Sequence, residues 1–381
     1  MSDWGSLPKN PFCMNPIKTA DISNLEAIPS PSLLVFPERV EANVDRMLDM
    51  VGGDVLRLRP HVKTHKMAEV VRLQVAKGIT RFKCATIAEA EMTAISGGSD
   101  VLLAHQPVGP NLSRFLQLQD RFSEVSFSAT VDSPEVVAEF EKTGQSASLF
   151  VDVDCGMHRT GIEPGEGALA LCRRIASSEN LEFAGLHAYD GHLHLPGLID
   201  RTEAHAAAIE SWAGLLQLLE NENLAPYTIV VGGSPTFGLF AQMDNWQCSP
   251  GTTLFWDAGY GHAFPDLEFE CAAMLLTRII SKPAGRLCLD LGHKSVAAEK
   301  PIGNRAWFPD LPEAKPFLQS EEHFVLEAPN AGDFAVGDAL LAVPWHVCPT
   351  VALHAHAHLV RDGRVTSESW EVVARKRSLT L

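Results

Sequence analysis

Arg81-Phe-Lys-Cys-Ala-Thr-Ile-Ala-Glu89 passes from a short apolar run straight into a Thr86-x-x-Glu89 capping box. Such a run reads as a strand buried on both faces, and a threonine followed three residues later by glutamate marks the first turn of a helix. The same β-then-α unit recurs on either side of it. Strand-like runs rich in Val, Leu, Phe and Ile fall at 32–36, 58–65, 81–85, 100–105, 125–131, 147–154, 183–189 and 228–231. Between them, Val40, Val44, Met47 and Val51 share one helical face. Ser133-Pro134 supplies an N-cap with proline at the first helical position, and Ile209, Trp212, Leu215, Leu216 and Leu219 line a long helix. Eight such units in one domain predict an α/β fold, a closed (β/α)8 TIM-type barrel, with an open doubly wound sheet as the alternative.

Beyond residue 267 the rhythm changes. Short β-rich runs at 271–280, 286–291, 323–327, 339–343 and 350–360 are separated by turn signals such as Pro283-Ala-Gly285 and Asp362-Gly363. The expected organisation is an N-terminal segment, 1–30, packing on the C-terminal domain; a barrel, 31–266; and a β-domain, 267–381.

Bulk composition narrows the function. A formal net charge of −16 without a basic run argues against nucleic acid or an anionic membrane surface as partner. Eight scattered cysteines without a CxxC pattern suggest reduced thiols, and no signal peptide or apolar run of membrane-spanning length stands out, so a cytoplasmic protein is expected.

Polar residues cluster at the predicted strand ends, where barrels carry their active sites. Arg59-Pro-His-Val-Lys-Thr-His-Lys66 places two histidines and two lysines at one such end, which reads either as a solvated basic loop or as the seat of a nucleophilic lysine. Gly232-Gly-Ser-Pro-Thr236 follows the last predicted strand; glycines there let backbone amides approach an anion, and Ser234 and Thr236 add hydroxyl donors. Ser249-Pro-Gly-Thr-Thr253 offers a second set, with Gly251 and Thr252. Arg159 closes the sixth run and could face an anionic oxygen; Tyr189, His192 and His194 follow the seventh. In the β-domain, His346 and Cys348 stand at i, i+2 of a segment read as extended, which would point both side chains the same way. Imidazole plus thiolate suits zinc, and a packed core pair is the plain alternative.

Taken together, Arg59-Pro-His-Val-Lys-Thr-His-Lys66, Cys84-Ala-Thr-Ile-Ala-Glu-Ala-Glu91, Asp154-Cys-Gly-Met-His-Arg-Thr-Gly161, Leu289-Asp-Leu-Gly-His-Lys294 and His346-Val-Cys-Pro-Thr350 resemble the alanine-racemase-like pyridoxal-phosphate enzymes. The likeness is to the D-threonine aldolase and D-serine dehydratase branch and runs from about residue 28 to the C-terminus. It implies pyridoxal 5′-phosphate held by Lys63, with His61 beside it and Arg159 on the cofactor's phenolic side. It further implies Tyr189 by the pyridine ring, phosphate held at Gly232, Gly233, Ser234 and Thr236 with Gly251 and Thr252, and His192 as acid/base. His346 and Cys348 would bind a divalent metal, zinc or manganese, near the substrate hydroxyl, and the assembly would be a homodimer.

The implied activity is cleavage of a small-molecule β-hydroxy-D-amino acid, D-threonine going to glycine and acetaldehyde. Ser320-Glu-Glu-His323 and Leu291-Gly-His-Lys294 lean toward that aldolase, whereas Cys348 leans toward a zinc-dependent dehydratase of D-serine or 3-hydroxyaspartate. A racemase ranks lower, because none of the three tyrosines, Tyr189, Tyr227 and Tyr260, lies in the β-domain to act as a second base. A non-catalytic carrier of pyridoxal phosphate ranks last.

Overall fold

The computed structural model describes residues 16–224 and 227–381. Cys13 and the first half of the 1–30 segment lie outside them. The chain divides into two compact units, one of Val44–Thr253 with Val372–Leu381, the other of residues up to Asn43 with Leu254–Glu371.

The second-unit strand that opens the chain is β1 (Ser32–Val35). The barrel strands follow as β2 (Arg81–Cys84), β3 (Asp100–Leu103), β4 (Ser126–Val131), β5 (Ala147–Val153), β6 (Leu181–Ala188), β7 (Thr228–Val231) and β8 (Gln247–Cys248). These seven run parallel in sequence order. Residues 58–62 join the two ends of the sheet: Arg59 N–H donates to Cys248 O (2.9 Å), Val62 N–H to Lys83 O (2.9 Å) and Lys83 N–H to Pro60 O (2.9 Å). The barrel thus has eight staves, but not the eight expected. The run 32–36 belongs to the other unit, residues 58–65 contribute bridges and then turns, and β8 completes the ring. An apolar run signals burial on both faces without saying in which sheet.

Leu102, Phe150 and Val230, from alternate strands β3, β5 and β7, pack as one layer inside the barrel. Arg59 is buried at the foot of its stave. Its guanidinium forks onto Asp100 Oδ1 and Oδ2 (both 2.7 Å), and its Nε donates to Gln247 Oε1 (2.7 Å). Charge pairing of this kind anchors the strand that leads to Lys63.

The other unit is built on β9 (Ala273–Ser281), β10 (Leu287–Leu289), β11 (Ala306–Trp307), β12 (Lys315–Gln319), β13 (Phe324–Glu327), β14 (Ala339–Pro344), β15 (His356–Arg361) and β16 (Arg364–Glu371). β1 lies at its centre, antiparallel to β9 and parallel to β15, which accounts for the burial of Leu33, Leu34 and Val35. Thr19 and Ser23 also hydrogen-bond within this unit, to Asp310 and Gly363. The compact units divide at 43/44, 253/254 and 371/372. The run expected as strand at 350–360 is split between a helix, Val347–Leu353, and β15. Pro349 sits in that helix's first turn, where its missing N–H has no helical partner to lose.

Among the described residues six cysteines are free thiols, but Cys271 is disulfide-bonded, where reduced thiols were expected throughout. Scatter along a sequence does not report spatial pairing. No helix among the described residues is long and apolar enough to cross a membrane.

Candidate active site

The chain turns immediately after its closing bonds to β2, which leaves Lys63 at the C-terminal end of its stave. His61 Nδ1 accepts the Lys63 N–H (3.3 Å). Burial first, then the neighbouring Lys63 and Lys83, hold His61 well below its ordinary range, so it serves as a neutral acceptor. Lys66 adopts the left-handed conformation, φ +54°, which side-chain-bearing residues adopt at a cost. Its ammonium pairs with the buried Glu89 carboxylate, whose other oxygen accepts the Ala85 N–H (2.6 Å). The capping box is therefore half formed: Thr86 Oγ1 accepts the Glu89 N–H (3.1 Å), while the glutamate turns toward Lys66.

Three cationic groups surround the Tyr189 ring. Lys63 Nζ lies 5.4 Å from its centroid, Lys83 Nζ 5.5 Å and the Arg159 guanidinium carbon 5.0 Å. Lys83 was not picked out from the sequence, nor were the two residues behind it. Its Nζ lies 3.3 Å from His187 Nε2, and His187 Nδ1 lies 2.6 Å from Asp152 Oδ1. Burial, reinforced by Lys63 and opposed by Asp152 and Asp190, pushes Lys83 down to about 7. Burial pushes Asp152 upward, but His187 prevails and keeps it below the usual carboxylate range. A signal for this chain existed. Strand alternation puts His187 on the same face as Tyr189, and Asp152 precedes the DxGxxRxG run on β5.

The two predicted anion loops meet through one hydroxyl. Ser234 Oγ, in a residue 4% exposed, accepts N–H bonds from Gly251 (3.1 Å) and Thr252 (2.9 Å). Its own proton is thereby left to donate. Gly232 sits at φ +72°, and a Cβ there would meet Phe240 at 2.6 Å. A Cβ on Gly233 would meet the Tyr189 ring at 3.0 Å, so the turn lies against that ring. Thr236 departs from expectation. Its hydroxyl donates to Asp190 Oδ1 (3.0 Å), which fixes the turn from within instead of facing an anion. Burial raises Asp190 to about 6, and its Oδ2 has no hydrogen-bond partner among the described residues.

His192 lies past the end of β6, in a turn closed by Leu193 N–H to Asp190 O (2.9 Å). Its Nε2 stands 3.1 Å from where Gly156 would carry a Cβ. Partial burial lowers its proton affinity against the opposing pull of Asp154.

In the other unit His346 is the N-cap of the 347–353 helix, and Cys348 is its second residue. This replaces the extended segment expected there. The cap conformation, φ −135° and ψ 101°, nevertheless lets the imidazole hydrogen-bond the Cys348 thiol. His346 Nδ1 also lies 2.5 Å from Glu299 Oε1. Asp257 holds the helix start by accepting Val347 N–H (2.9 Å) and Tyr260 N–H (2.8 Å). Among the described residues, no group of three or more His, Cys, Asp or Glu converges as a metal cluster. The donor set is one imidazole and one thiol, which suits a borderline-soft ion with open positions.

The barrel site fits an anionic aromatic aldehyde: an amine at a stave end, two further cations around a ring, and a glycine turn against the same ring. Comparisons agree. The family described as "Alanine racemase, N-terminal domain" matches residues 36–258, and "Putative serine dehydratase domain" matches 272–360. The chain is 31% identical to a D-threonine aldolase of Arthrobacter sp. over 92% of its own length and 94% of that protein. It is 29% identical to a 3-hydroxy-D-aspartate aldolase of Paracoccus denitrificans, covering 91% and 92%. The solved D-threonine aldolase of Filomicrobium marinum superposes with a TM-score of 0.84 at 28% identity, covering 92% of this chain and 96% of that one. The chain therefore belongs to the alanine-racemase-like family of pyridoxal-phosphate enzymes, in the branch that holds the D-threonine aldolases and D-serine dehydratases.

Proposed function

We propose that the chain is a pyridoxal-phosphate- and divalent-metal-dependent lyase that cleaves a β-hydroxy-D-amino acid, D-threonine giving glycine and acetaldehyde. The observation that carries this is the convergence of Lys63, Lys83 and Arg159 on Tyr189, in a chain similar over nine-tenths of its length to named aldolases. When bound, pyridoxal phosphate supplies an electron sink for the charge left at the substrate's Cα. Lys63 would hold the cofactor's aldehyde through its Nζ. Arg159 would present a permanent cation to the phenolic side, and Tyr189 would give the cofactor ring a surface. Gly232, Gly233 and Ser234 would hold the phosphate, and the Gly251 and Thr252 segment is tied to them through Ser234. His192 takes the proton of the β-hydroxyl; an imidazole held below its ordinary range is unprotonated near neutrality and can accept it. His346 and Cys348 would hold zinc or manganese, whose contribution is polarisation of the hydroxyl. The resemblance also supports a homodimer, which light scattering would show as twice the chain mass.

A dehydratase of D-serine or 3-hydroxyaspartate stays as the second reading. Cys348 and the match of residues 272–360 to a serine dehydratase domain favour it. Product analysis with D-threonine separates the two: acetaldehyde with glycine supports the aldolase, and 2-oxobutanoate supports the dehydratase. No product from any D-amino acid removes both.

A further inference from the structure

The mechanism leaves one buried charged chain without a role. Lys83 is 2% exposed in β2 and crosses the barrel interior to His187 on β6, which is tied in turn to Asp152 on β5. A lysine is rarely placed this deep without a partner for its charge. The charged and titratable groups that act on it are Lys63 and Arg59 from the adjacent stave, Asp152 from β5, His187 from β6, and Asp190 just past β6. Asp152 does not touch Lys83 directly; it takes His187 Nδ1, which leaves Nε2 as an acceptor toward the lysine. An ammonium has three donors, and His187 uses one. The same Nζ lies 5.5 Å from the Tyr189 ring, beside which Lys63 and Arg159 also stand. Lys63, Lys83 and Arg159 around one ring, with Asp152 and Asp190 acting on Lys83, leave positive charge for an anion to neutralise.

We propose that Lys83 is a cofactor-contacting residue whose ammonium, tethered by His187 and Asp152, pairs with the phenolate oxygen of pyridoxal phosphate beside Tyr189. This rests on the cofactor reading above, and it adds a second cation to the one the family resemblance places on that side of the ring. A lysine acting only as a strut across the barrel would stabilise the fold and treat every ligand alike. A lysine paired with the phenolate would distinguish ligands by that one oxygen.

The test compares two probes on the full chain freed of cofactor, followed by tryptophan fluorescence quenching. One probe is pyridoxal 5′-phosphate. The other is 3-O-methylpyridoxal 5′-phosphate, which keeps the ring, aldehyde and phosphate but carries no phenolate. Lys83→Met is expected to weaken the first at least tenfold and the second less than twofold. Lys83→Arg, which keeps the charge, is expected to keep most of the difference between the probes. Should Lys83→Met fail to fold, Asp152→Asn loosens the tether and is expected to show the same selective loss at smaller size. Equal losses for both probes, in whichever variant folds, would overturn the role of Lys83 and leave the cofactor site intact. A wild-type chain that binds neither probe would overturn the cofactor reading itself.

Discussion

Ser234→Ala tests the anion turn most directly, because one atom joins its two halves. The mutation removes the acceptor of the Gly251 and Thr252 N–H bonds, 3.1 and 2.9 Å long and buried. A buried donor left without a partner costs about 1–3 kcal/mol, so the two N–H groups together weaken the local order by roughly 2–6 kcal/mol. The hydroxyl proton left over in the wild type is the donor available to a phosphate. A charge-assisted bond of that kind contributes about 1.5–3 kcal/mol, or about 10- to 150-fold in affinity. Titration of the cofactor-free chain with pyridoxal phosphate and with pyridoxal, read by tryptophan fluorescence, separates the two effects. The variant is expected to lose at least tenfold affinity for pyridoxal phosphate and little for pyridoxal. Parallel losses for the two ligands, or none for either, would refute the assignment of phosphate to this turn.

Asp100→Ala leaves the buried Arg59 guanidinium without its fork; with Asp100 itself one-third exposed, about 3 kcal/mol of stability should go, read by urea unfolding. A loss below about 1 kcal/mol would show that Gln247 alone holds the arginine. For Lys83 the sign is set by its depressed value, about 7 folded against about 10.4 unfolded. Over that window the unfolded chain binds the extra proton, so stability from this group rises with pH between about 7 and 10 and its penalty is full below about 7. In the cofactor-free chain Lys83→Met should flatten that rise and unfold at higher urea near neutrality; an unchanged difference between pH 7 and 9 would contradict the buried charge. A chelator should abolish turnover while leaving the bound cofactor's absorbance, Cys348→Ala should behave as the chelated wild type does, and Cys348→Asp should shift preference toward manganese. Full activity in metal-free protein would return His346 and Cys348 to a packed pair.

The β-then-α rhythm, the Lys63 stave and the Gly232–Ser234 turn were legible because each depends on local chemistry: alternating apolar periods, capping residues and glycine at positive φ. What was not legible depends on partners distant in the chain. The run 32–36 looks like any barrel strand until β9 and β15 claim it. Thr236 looks like a phosphate donor until Asp190, from another strand end, takes its hydroxyl. Lys83 reads as one polar residue between Phe82 and Cys84, and only the barrel's closure brings it to His187. The 347–353 helix was missed because Pro349 reads equally well as a stiffener of extended chain and as a first-turn residue.

The central place of β1 bears on how the chain is made. Its residues emerge early in synthesis, yet its antiparallel partner, Ala273–Ser281, follows all seven barrel strands, and its parallel partner, His356–Arg361, comes later still. Throughout that interval Leu33, Leu34 and Val35 form a short apolar segment with its backbone edge unsatisfied, the condition under which nascent chains pair wrongly. The barrel strands, contiguous in sequence, have no such wait and should assemble first. Ribosome-bound chains halted before residue 271 should therefore protect the barrel amides from hydrogen exchange while those of 32–35 still exchange freely, and Leu34→Lys should reduce aggregation of such chains even as it destabilises the finished sheet.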